Sequence, residues 1–327
     1  GRSRYDIYTV NLETGDRQQI KKATNTHMLL SPKGAYAYWY CAQDSSWYTR
    51  SMSDGKEYRL TTPASFTAWD EDNDVPDYPS PHGLAGWTAD DQYLLIYDRY
   101  DIWKFDPTAQ TSPVNLTLNG RKEQLSYRLV KLDKEKKFIN LTEPQLLLAF
   151  NEKTKGSGYY STHLSAPAVP LLAGNFMLKT PVKAKDANAV IYTSETFEQY
   201  PDIRLSDLAF KKSVRLTNGG EQQADINWGT AEPVSWISLD GIPLEGVVYK
   251  PENFDPNKKY PVIVNFYERN SETLYAYHMP EPHRSTIDYH FYTSNGYIIF
   301  NPDVRYVDGY PGESCYNCVM PGITSLI

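Results

Sequence analysis

Cysteine is scarce in this sequence, which contains three among its 327 residues. Three thiols cannot build a framework of paired disulfides. The close pair Cys315 and Cys318 has no second Cys or His pair nearby, as a zinc site would require. We interpret the cysteines as incidental thiols.

The histidines show no metal-ligand spacing either. His278, His283 and His290 lie in an aromatic and proline-rich stretch. The first two are too far apart for one helical turn, and prolines interrupt the segment between them. We therefore expect no metal and no cofactor.

Long apolar runs and an excess of basic residues are also missing. No run reaches the roughly 20 residues that a membrane helix needs, and Gly1 to Val10 has no hydrophobic signal-peptide core. The net charge of −7 argues against a nucleic-acid surface, which needs concentrated Lys and Arg. We expect no membrane segment and no nucleic-acid partner.

Aromatic residues, in contrast, are abundant. The 27 Tyr and 7 Trp favour strands, because flat rings pack well on a pleated, half-buried surface. With 40% apolar and 22% charged residues the composition is that of a globular protein, and the length favours two domains. The sequence therefore predicts a mainly β fold.

A strand and turn pattern repeats up to about residue 220. After a leading strand that ends at Gly15, the turn Ser31-Pro32-Lys33-Gly34 leads into an aromatic strand at residues 35–41. Residues 47–51 form the next strand, and Tyr58-Arg59-Leu60-Thr61 closes the unit. Similar units follow at about residues 87–117, 129–172 and 189–217.

Repeats of about 40 to 55 residues with four short strands are typical of β-propeller blades. A β-sandwich is the alternative, but sandwiches seldom return the same turn order with the same closing Leu-Thr. We predict about four blades of a partial propeller in residues 1–228. Because this is too few for most closed propellers, we expect that upstream sequence, including any targeting signal, has been removed. The compartment stays open, with a periplasmic or secreted location favoured over a cytoplasmic one.

The pattern changes after residue 229. Residues 234–239 and 244–250 read as a hairpin joined by the two-residue turn Asp240-Gly241. Residues 260–267 form an apolar run, which predicts a parallel strand buried on both faces, and residues 296–300 form a second buried strand.

Two helices complete this region. We predict one near residues 285–295 and a last one from about Glu313, which Pro321-Gly322 would disturb. Hairpin, strand, helix, strand and helix in this order predict the N-terminal part of an α/β-hydrolase domain in residues 229–327.

These residues resemble the prolyl oligopeptidase family of serine peptidases, which includes dipeptidyl peptidase IV. The resemblance rests on residues 240–246, on the loop at residues 251–260, on Pro261 to Tyr267, and on Glu198-Gln199-Tyr200-Pro201-Asp202, which is similar to the last propeller blade of the family. It implies a propeller that limits access to a Ser-Asp-His site, peptide substrates that are often cut after proline, and a possible homodimer.

The nucleophile of such a site sits in a G-x-S-x-G elbow, and this sequence contains no such motif. Ser314 comes nearest, but Tyr316 replaces the second glycine, so we do not assign Ser314 as a nucleophile. We expect the elbow just beyond Ile327, the whole triad to be absent and the fragment to be inactive alone.

One catalytic role transfers by resemblance. Tyr267 matches the family tyrosine whose hydroxyl helps to stabilise the oxyanion. Glu268 and Arg269 follow it where family members often have glycines; they are candidates to bind a substrate terminus, or they pair at the surface.

Two other functions stay open from the sequence. The chain could be a propeller-based binding or scaffold protein with a non-catalytic hydrolase remnant, which needs no triad. A hydrolase of the same fold could also act on esters rather than peptides.

Overall fold

The computed structural model describes residues 3–282 and 286–326, and these residues form a mainly β protein, as predicted. The first two strands, β1 (Tyr5–Val10) and β2 (Arg17–Thr24), form a separate hairpin. Among the described residues, no helix combines the length and the apolar character needed to cross a membrane.

Four sheets with mainly antiparallel pairing follow in chain order. Sheet I contains β3 (Leu29–Leu30), β4 (Tyr36–Cys41), β5 (Ser46–Ser51) and β6 (Glu57–Arg59). Sheet II contains β7 (Leu84–Thr88), β8 (Leu94–Tyr97), β9 (Ile102–Phe105) and β10 (Val114–Asn115). In both sheets each strand pairs with the next one in the chain.

The next two sheets repeat this order. A short helix, α1 (Gly120–Glu123), precedes them. Sheet III contains β11 (Leu125–Leu129), β13 (Gln145–Asn151), β14 (Ser157–Thr162) and β15 (Val169–Gly174), while β12 (Phe138–Ile139) pairs in parallel with β7 of sheet II. Sheet IV contains β16 (Met177–Leu178), β17 (Val182–Lys183), β18 (Val190–Glu195), β19 (Ile203–Ser206) and β20 (Val214–Arg215).

The Leu-Thr pairs that close the repeats have a structural role in three of the sheets. The Oγ1 atom of Thr61 accepts a hydrogen bond from the Trp47 amide at 2.8 Å. Thr117 accepts in the same way from Ile102 at 3.1 Å, and Thr217 accepts from Ile203 at 2.9 Å. Each threonine therefore satisfies a backbone donor at the start of the strand that pairs with the last strand of its sheet, namely β5, β9 or β19, which explains why the sequence repeats at this point.

Aromatic side chains fill the spaces between neighbouring sheets. Trp87 of sheet II stacks on Tyr36 of sheet I with ring centroids 5.8 Å apart, and it meets Tyr38 edge-on at 5.5 Å. Between sheets III and IV, Tyr159 stacks on Phe210 at 4.4 Å. Such contacts bury large apolar areas, and they account for the high aromatic content.

Sheet V lies in the C-terminal part of the chain and has the order β21-β22-β24-β23. Its strands are β21 (Thr230–Ile237), β22 (Pro243–Lys250), β23 (Val262–Val264) and β24 (Ile298–Pro302). The hairpin and the parallel pair β23 and β24 are as predicted. The hairpin connection, residues 238–242, has five residues rather than two. The Leu239 amide leaves the hairpin to donate to the Asn317 carbonyl at 3.0 Å, so the regular pairing does not continue to the turn at Gly241.

Strand β23 departs from the sequence prediction in two ways. It is three residues long, and Val262 is 45% exposed, so the strand is not buried on both faces. The physical reason is position, because β23 is an edge strand of sheet V in the part of the chain that the structure describes.

Two helices pack on sheet V. Helix α2 (Tyr289–Ser294) begins after Asp288, whose carboxylate accepts a hydrogen bond from the Phe291 amide at 3.0 Å. It lies within the predicted residues 285–295, although Ser285 and His283 are outside the described residues. Helix α3 (Pro311–Ser325) follows β24.

The predicted disturbance of the last helix at Pro321-Gly322 is wrong, because α3 continues through both residues. Proline cannot donate to the Asn317 carbonyl one turn earlier. That carbonyl accepts instead from the Leu239 amide at 3.0 Å. Gly322 faces the rings of Phe300 and Trp236. Helix α3 can pack this closely on sheet V because the residue at this position has no side chain.

Sheet IV and sheet V share a buried core. Phe197, on the connection after β18, is 1% exposed. Its ring lies 4.9 Å from that of Tyr249 and 4.8 Å from that of His290. The Phe197 carbonyl also accepts a hydrogen bond from the Trp228 indole at 2.6 Å. This contact joins the earlier sheets to the C-terminal sheet.

Candidate active site

The carboxyl ends of β23 and β24 meet at one edge of sheet V, because the two strands are parallel. The Asn265 amide donates to the Phe300 carbonyl at 2.9 Å, which extends the pairing by one residue. The side chain of Asn265 then donates to Asn301 at 3.2 Å. In open α/β sheets, ligands bind outside such strand ends.

The two loops that leave these strands are tied to each other. The Val304 amide donates to the Glu268 carbonyl at 2.9 Å. The Tyr306 hydroxyl donates to the Tyr267 carbonyl at 2.6 Å. The Tyr267 side chain itself is 77% exposed, so its phenol is accessible beyond the end of β23.

Asp303 holds the continuation of the first loop. Its carboxylate accepts hydrogen bonds from the amides of Asn270 at 2.6 Å and Ser271 at 2.8 Å, and from the Ser271 hydroxyl at 2.6 Å. Asp303 is 6% exposed. Three donors to one buried carboxylate fix the backbone from residue 270 onward. The role of Asp303 is therefore structural.

Glu268 and Arg269 separate in the structure. Glu268 is exposed. Arg269 points to the earlier part of the chain, and its Nη1 atom lies 2.6 Å from Oδ2 of Asp72. Burial alone would lower the pKa of Arg269, but the Asp72 carboxylate outweighs burial and raises it.

Asp72 is the centre of a cluster of three arginines. Its side chain is 9% exposed, and besides Arg269 it contacts Nη1 of Arg99 at 2.6 Å and Nη2 of Arg305 at 2.8 Å. Burial favours the neutral acid, yet the guanidinium groups of Arg269 and Arg99 together lower the pKa of Asp72 below its usual value. Arg99 also donates to Glu152 at 2.7 Å. The Glu152 carboxylate thereby offsets part of the positive charge of the three arginines.

A cleft of about 610 Å³ opens beside this cluster, between sheets II and III on one side and sheet V on the other. Charged residues of both signs line it, including Asp72, Arg99, Glu152, Lys155, Glu245 and Arg305. Lys155 and Glu245 approach to 2.5 Å across the cleft. A lining with charges of both signs can bind a ligand that carries acidic and basic groups.

Ser314 lies inside helix α3 and is 5% exposed. Its hydroxyl donates to the Tyr310 carbonyl at 2.8 Å and accepts from the Val307 amide at 3.0 Å. These bonds fix the start of the helix. The hydroxyl therefore holds the backbone that leads into its helix.

The histidines of this region pack in the core below the strand ends. The two ring nitrogens of His290 lie 3.2 Å from the Trp228 carbonyl and 2.7 Å from the His278 carbonyl. Burial lowers the pKa of His278 to about 4. In residues 3–282 and 286–326, no three His, Cys, Asp or Glu side chains come together as a metal site; His283 lies outside them.

Sequence reasoning missed Asp72, Asp74, Arg99 and Arg305. A signal was present, because residues 70–74 carry four acidic groups in a chain of alternating strands. The sequence did not show which basic residue pairs with this acidic segment, because Arg305 lies 233 positions further along the chain than Asp72.

Known proteins similar to this chain are peptidases. No family model matches it. A protein named "Probable dipeptidyl-aminopeptidase B" from Coccidioides posadasii is 29% identical over 157 residues, which cover 46% of this chain and 14% of that protein.

Solved structures share the fold over most of the chain. A structure from a study of two prolyl endopeptidases is 14% identical with a TM-score of 0.59, and the match covers 99% of this chain and 47% of that one. A post-proline cleaving enzyme from Rickettsia typhi is 12% identical with a TM-score of 0.55, covering 97% and 47%. The resemblance to prolyl oligopeptidase-type and dipeptidyl peptidase IV-like peptidases is thereby confirmed. The chain spans about half the length of these structures.

Proposed function

Because the chain shares its fold with prolyl oligopeptidase-type peptidases, we propose that it is part of a serine peptidase that hydrolyses short peptides. The complete protein, rather than this chain alone, carries the activity. Cleavage after proline and release of dipeptides from amino termini are the preferred reactions. The relation to a dipeptidyl-aminopeptidase and to post-proline cleaving enzymes supports this choice.

Within this proposal, sheets I to IV are consecutive blades of a β-propeller that occupies residues 1–228. Support comes from their shared strand order, from the aromatic contacts between neighbours and from the recurring threonine bond. Residues 229–327 are the beginning of the α/β-hydrolase domain, with β21 and β22 as its opening hairpin. The cleft between the two regions then receives the substrate.

The observation that carries the proposal is the position of Tyr267. It follows the carboxyl end of a parallel strand, its side chain is exposed, and its backbone is held by Tyr306. A phenol on a backbone held in this way can donate to the oxyanion that forms when a peptide carbonyl is attacked, and such a donor contributes about 3 kcal/mol in a site closed to water.

Chemically, the attacking hydroxyl belongs to a serine elbow outside this sequence, with a histidine as its general base. The serine oxygen adds to the peptide carbonyl, the amine leaves with a proton from the histidine, and water then releases the acyl group. Glu268 and Arg269 follow Tyr267 and are the proposed contacts for a terminus of the bound peptide, with Arg269 held by Asp72. This chain supplies the oxyanion donor and the walls of the cleft.

The test uses the complete protein and an Xaa-Pro-p-nitroanilide substrate, with Xaa-Ala and an acetate ester for comparison. We expect release of p-nitroaniline, labelling of one serine by a fluorophosphonate, and neither signal from residues 1–327 alone. The Tyr267→Phe variant of the complete protein should lose about 100-fold in kcat. Ester cleavage without peptide cleavage would instead indicate an esterase, and absence of both cleavage and labelling would indicate a scaffold protein.

A further inference from the structure

An acidic segment, residues 70–74, reaches from the connection between sheets I and II to the loops at the end of sheet V. It does so with two carboxylates. Asp72 contacts Arg269 and Arg305, as described above, and Oδ2 of Asp74 accepts a hydrogen bond from the Tyr306 amide at 3.0 Å. The loops after β23 and β24 are therefore held from the opposite side of the cleft.

The contacts between Asp72 and its arginines have the burial and geometry of an ion-pair cluster that fixes side-chain positions. Its carboxylate is nearly buried, and both oxygens are used by guanidinium groups at 2.6 to 2.8 Å. Charge-assisted hydrogen bonds of this length are among the more directional contacts in proteins. Without the carboxylate, three guanidinium groups would face each other and separate.

Both carboxylates act on the backbone of Tyr267. Arg269 is two residues from it, so the place of its guanidinium group limits where the intervening chain can lie. Tyr306 receives Asp74 at its amide and donates its own hydroxyl to the Tyr267 carbonyl. The acidic segment thus reaches the proposed oxyanion donor by two routes that share no atoms.

We propose that Asp72 is a positioning residue for the proposed peptidase reaction, setting the Tyr267 hydroxyl relative to the substrate carbonyl from across the cleft. This inference rests on the proposed function. It adds to it a role for the first part of the chain in the chemical step. A part of the protein that limits access would then also tune the oxyanion site.

The experiment compares Asp72→Asn with Asp133→Asn in the complete protein, the second being an exposed acid of another loop. Asp72→Asn keeps the shape and removes the charge. We expect kcat for the Xaa-Pro substrate to fall about tenfold to a hundredfold, with a smaller change in KM, because a small misplacement of a reacting group costs this much. Asp72→Glu should recover part of the loss, and Asp133→Asn should leave kcat unchanged.

A double variant separates positioning from a general structural effect. If Asp72 acts through Tyr267, then Asp72→Asn combined with Tyr267→Phe loses no more than Tyr267→Phe alone. Losses in kcat that multiply would overturn the inference.

Amide hydrogen exchange of residues 265–271 supplies a readout that does not need activity. It should become faster in Asp72→Asn and stay unchanged in Asp133→Asn. Unchanged exchange in Asp72→Asn overturns the inference even if the complete protein is an active peptidase. Faster exchange in a protein that cleaves no peptide would mean that the proposed function has failed while the structural role of Asp72 stands.

Discussion

The Tyr306 hydroxyl donates a hydrogen bond of 2.6 Å to the main-chain carbonyl of Tyr267. The bond joins the loop that follows β24 to the loop that follows β23, and it acts on backbone rather than on the reactive phenol. One tyrosine is therefore used for its ability to hold the chain, and the other is left exposed. Tyr306 and Tyr267 are the same residue type, so their different roles follow from their different surroundings.

The Tyr306→Phe variant of the complete protein should show a reduced kcat. Loss of the hydroxyl frees the Tyr267 carbonyl and lets the loop move, and we expect a decrease of about tenfold, near the 1.4 kcal/mol of one lost hydrogen bond. Steady-state kinetics with the Xaa-Pro substrate measure it. Tyr310→Phe, which alters an exposed phenol nearby, is the control. Equal kcat values for the two variants would contradict the prediction.

Replacing Gly322 by alanine should destabilise the fold. A Cβ atom there would lie 2.9 Å from ring atoms of Phe300 and of Trp236. We expect the free energy of unfolding to fall by about 1 to 2 kcal/mol, since crowding outweighs the gain in helix propensity.

Gly312, in the first turn of the same helix, is the matched control because a Cβ atom there meets nothing within 4 Å. Gly312→Ala should raise the free energy of unfolding by up to about 1 kcal/mol. Urea unfolding followed by circular dichroism measures both variants. A destabilised Gly312→Ala protein, or an unaffected Gly322→Ala protein, would argue against this packing.

The threonines that close three of the repeated units should matter for stability. Thr117 is fully buried, accepts from the Ile102 amide and donates to Asp101 at 2.6 Å. Thr117→Val keeps the volume and removes both bonds, so we expect a loss of about 2 kcal/mol in the free energy of unfolding. The exposed Thr180, changed in the same way, should show a difference below about 0.5 kcal/mol. Similar values for the two variants would be the contrary result.

Stability should decrease below neutral pH, partly because of His278. Burial lowers the pKa of its imidazole to about 4, so the folded protein holds this ring neutral while the unfolded chain binds a proton below about pH 6.5. The stabilising contribution is complete above pH 6.5 and is lost as the pH falls towards 4. Between pH 6.5 and pH 5 the loss should be about 2 kcal/mol.

Urea unfolding at several pH values tests this contribution. His278→Asn should show a flatter pH dependence than the unaltered protein over the same range. His163→Asn, at an exposed histidine, should not. Parallel pH curves for His278→Asn and the unaltered protein would exclude His278 as the source.

Local patterns were enough to predict most of the longer strands of sheets I to IV, such as β4, β9 and β18, but the two-residue strands β3, β16 and β17 were not predicted. Alternation and turn residues act over a few positions, and the closing Leu-Thr recurs because its threonine hydroxyl accepts a hydrogen bond from an equivalent strand amide in three of the sheets. The parallel pair in sheet V was also predictable from its apolar runs. The exposure of Val262 was not, because it depends on which strands flank β23.

Contacts between distant parts of the chain could not be predicted in this way. Pro321 reads as a helix breaker until it is known that the Leu239 amide takes the Asn317 carbonyl. Arg269 likewise reads as a surface charge until Asp72 is placed beside it. In each case the deciding partner comes from another element, and a single sequence carries no record of that pairing.

Phe197 has a practical consequence for anyone who divides this protein. Cutting the chain near residue 228 would expose the Phe197 ring on one fragment. It would also leave an unfilled apolar cavity beside Tyr249 and His290 on the other fragment. Each fragment would expose a new hydrophobic surface to water, and such surfaces promote aggregation. The two regions are therefore better expressed and purified as a single piece than separately.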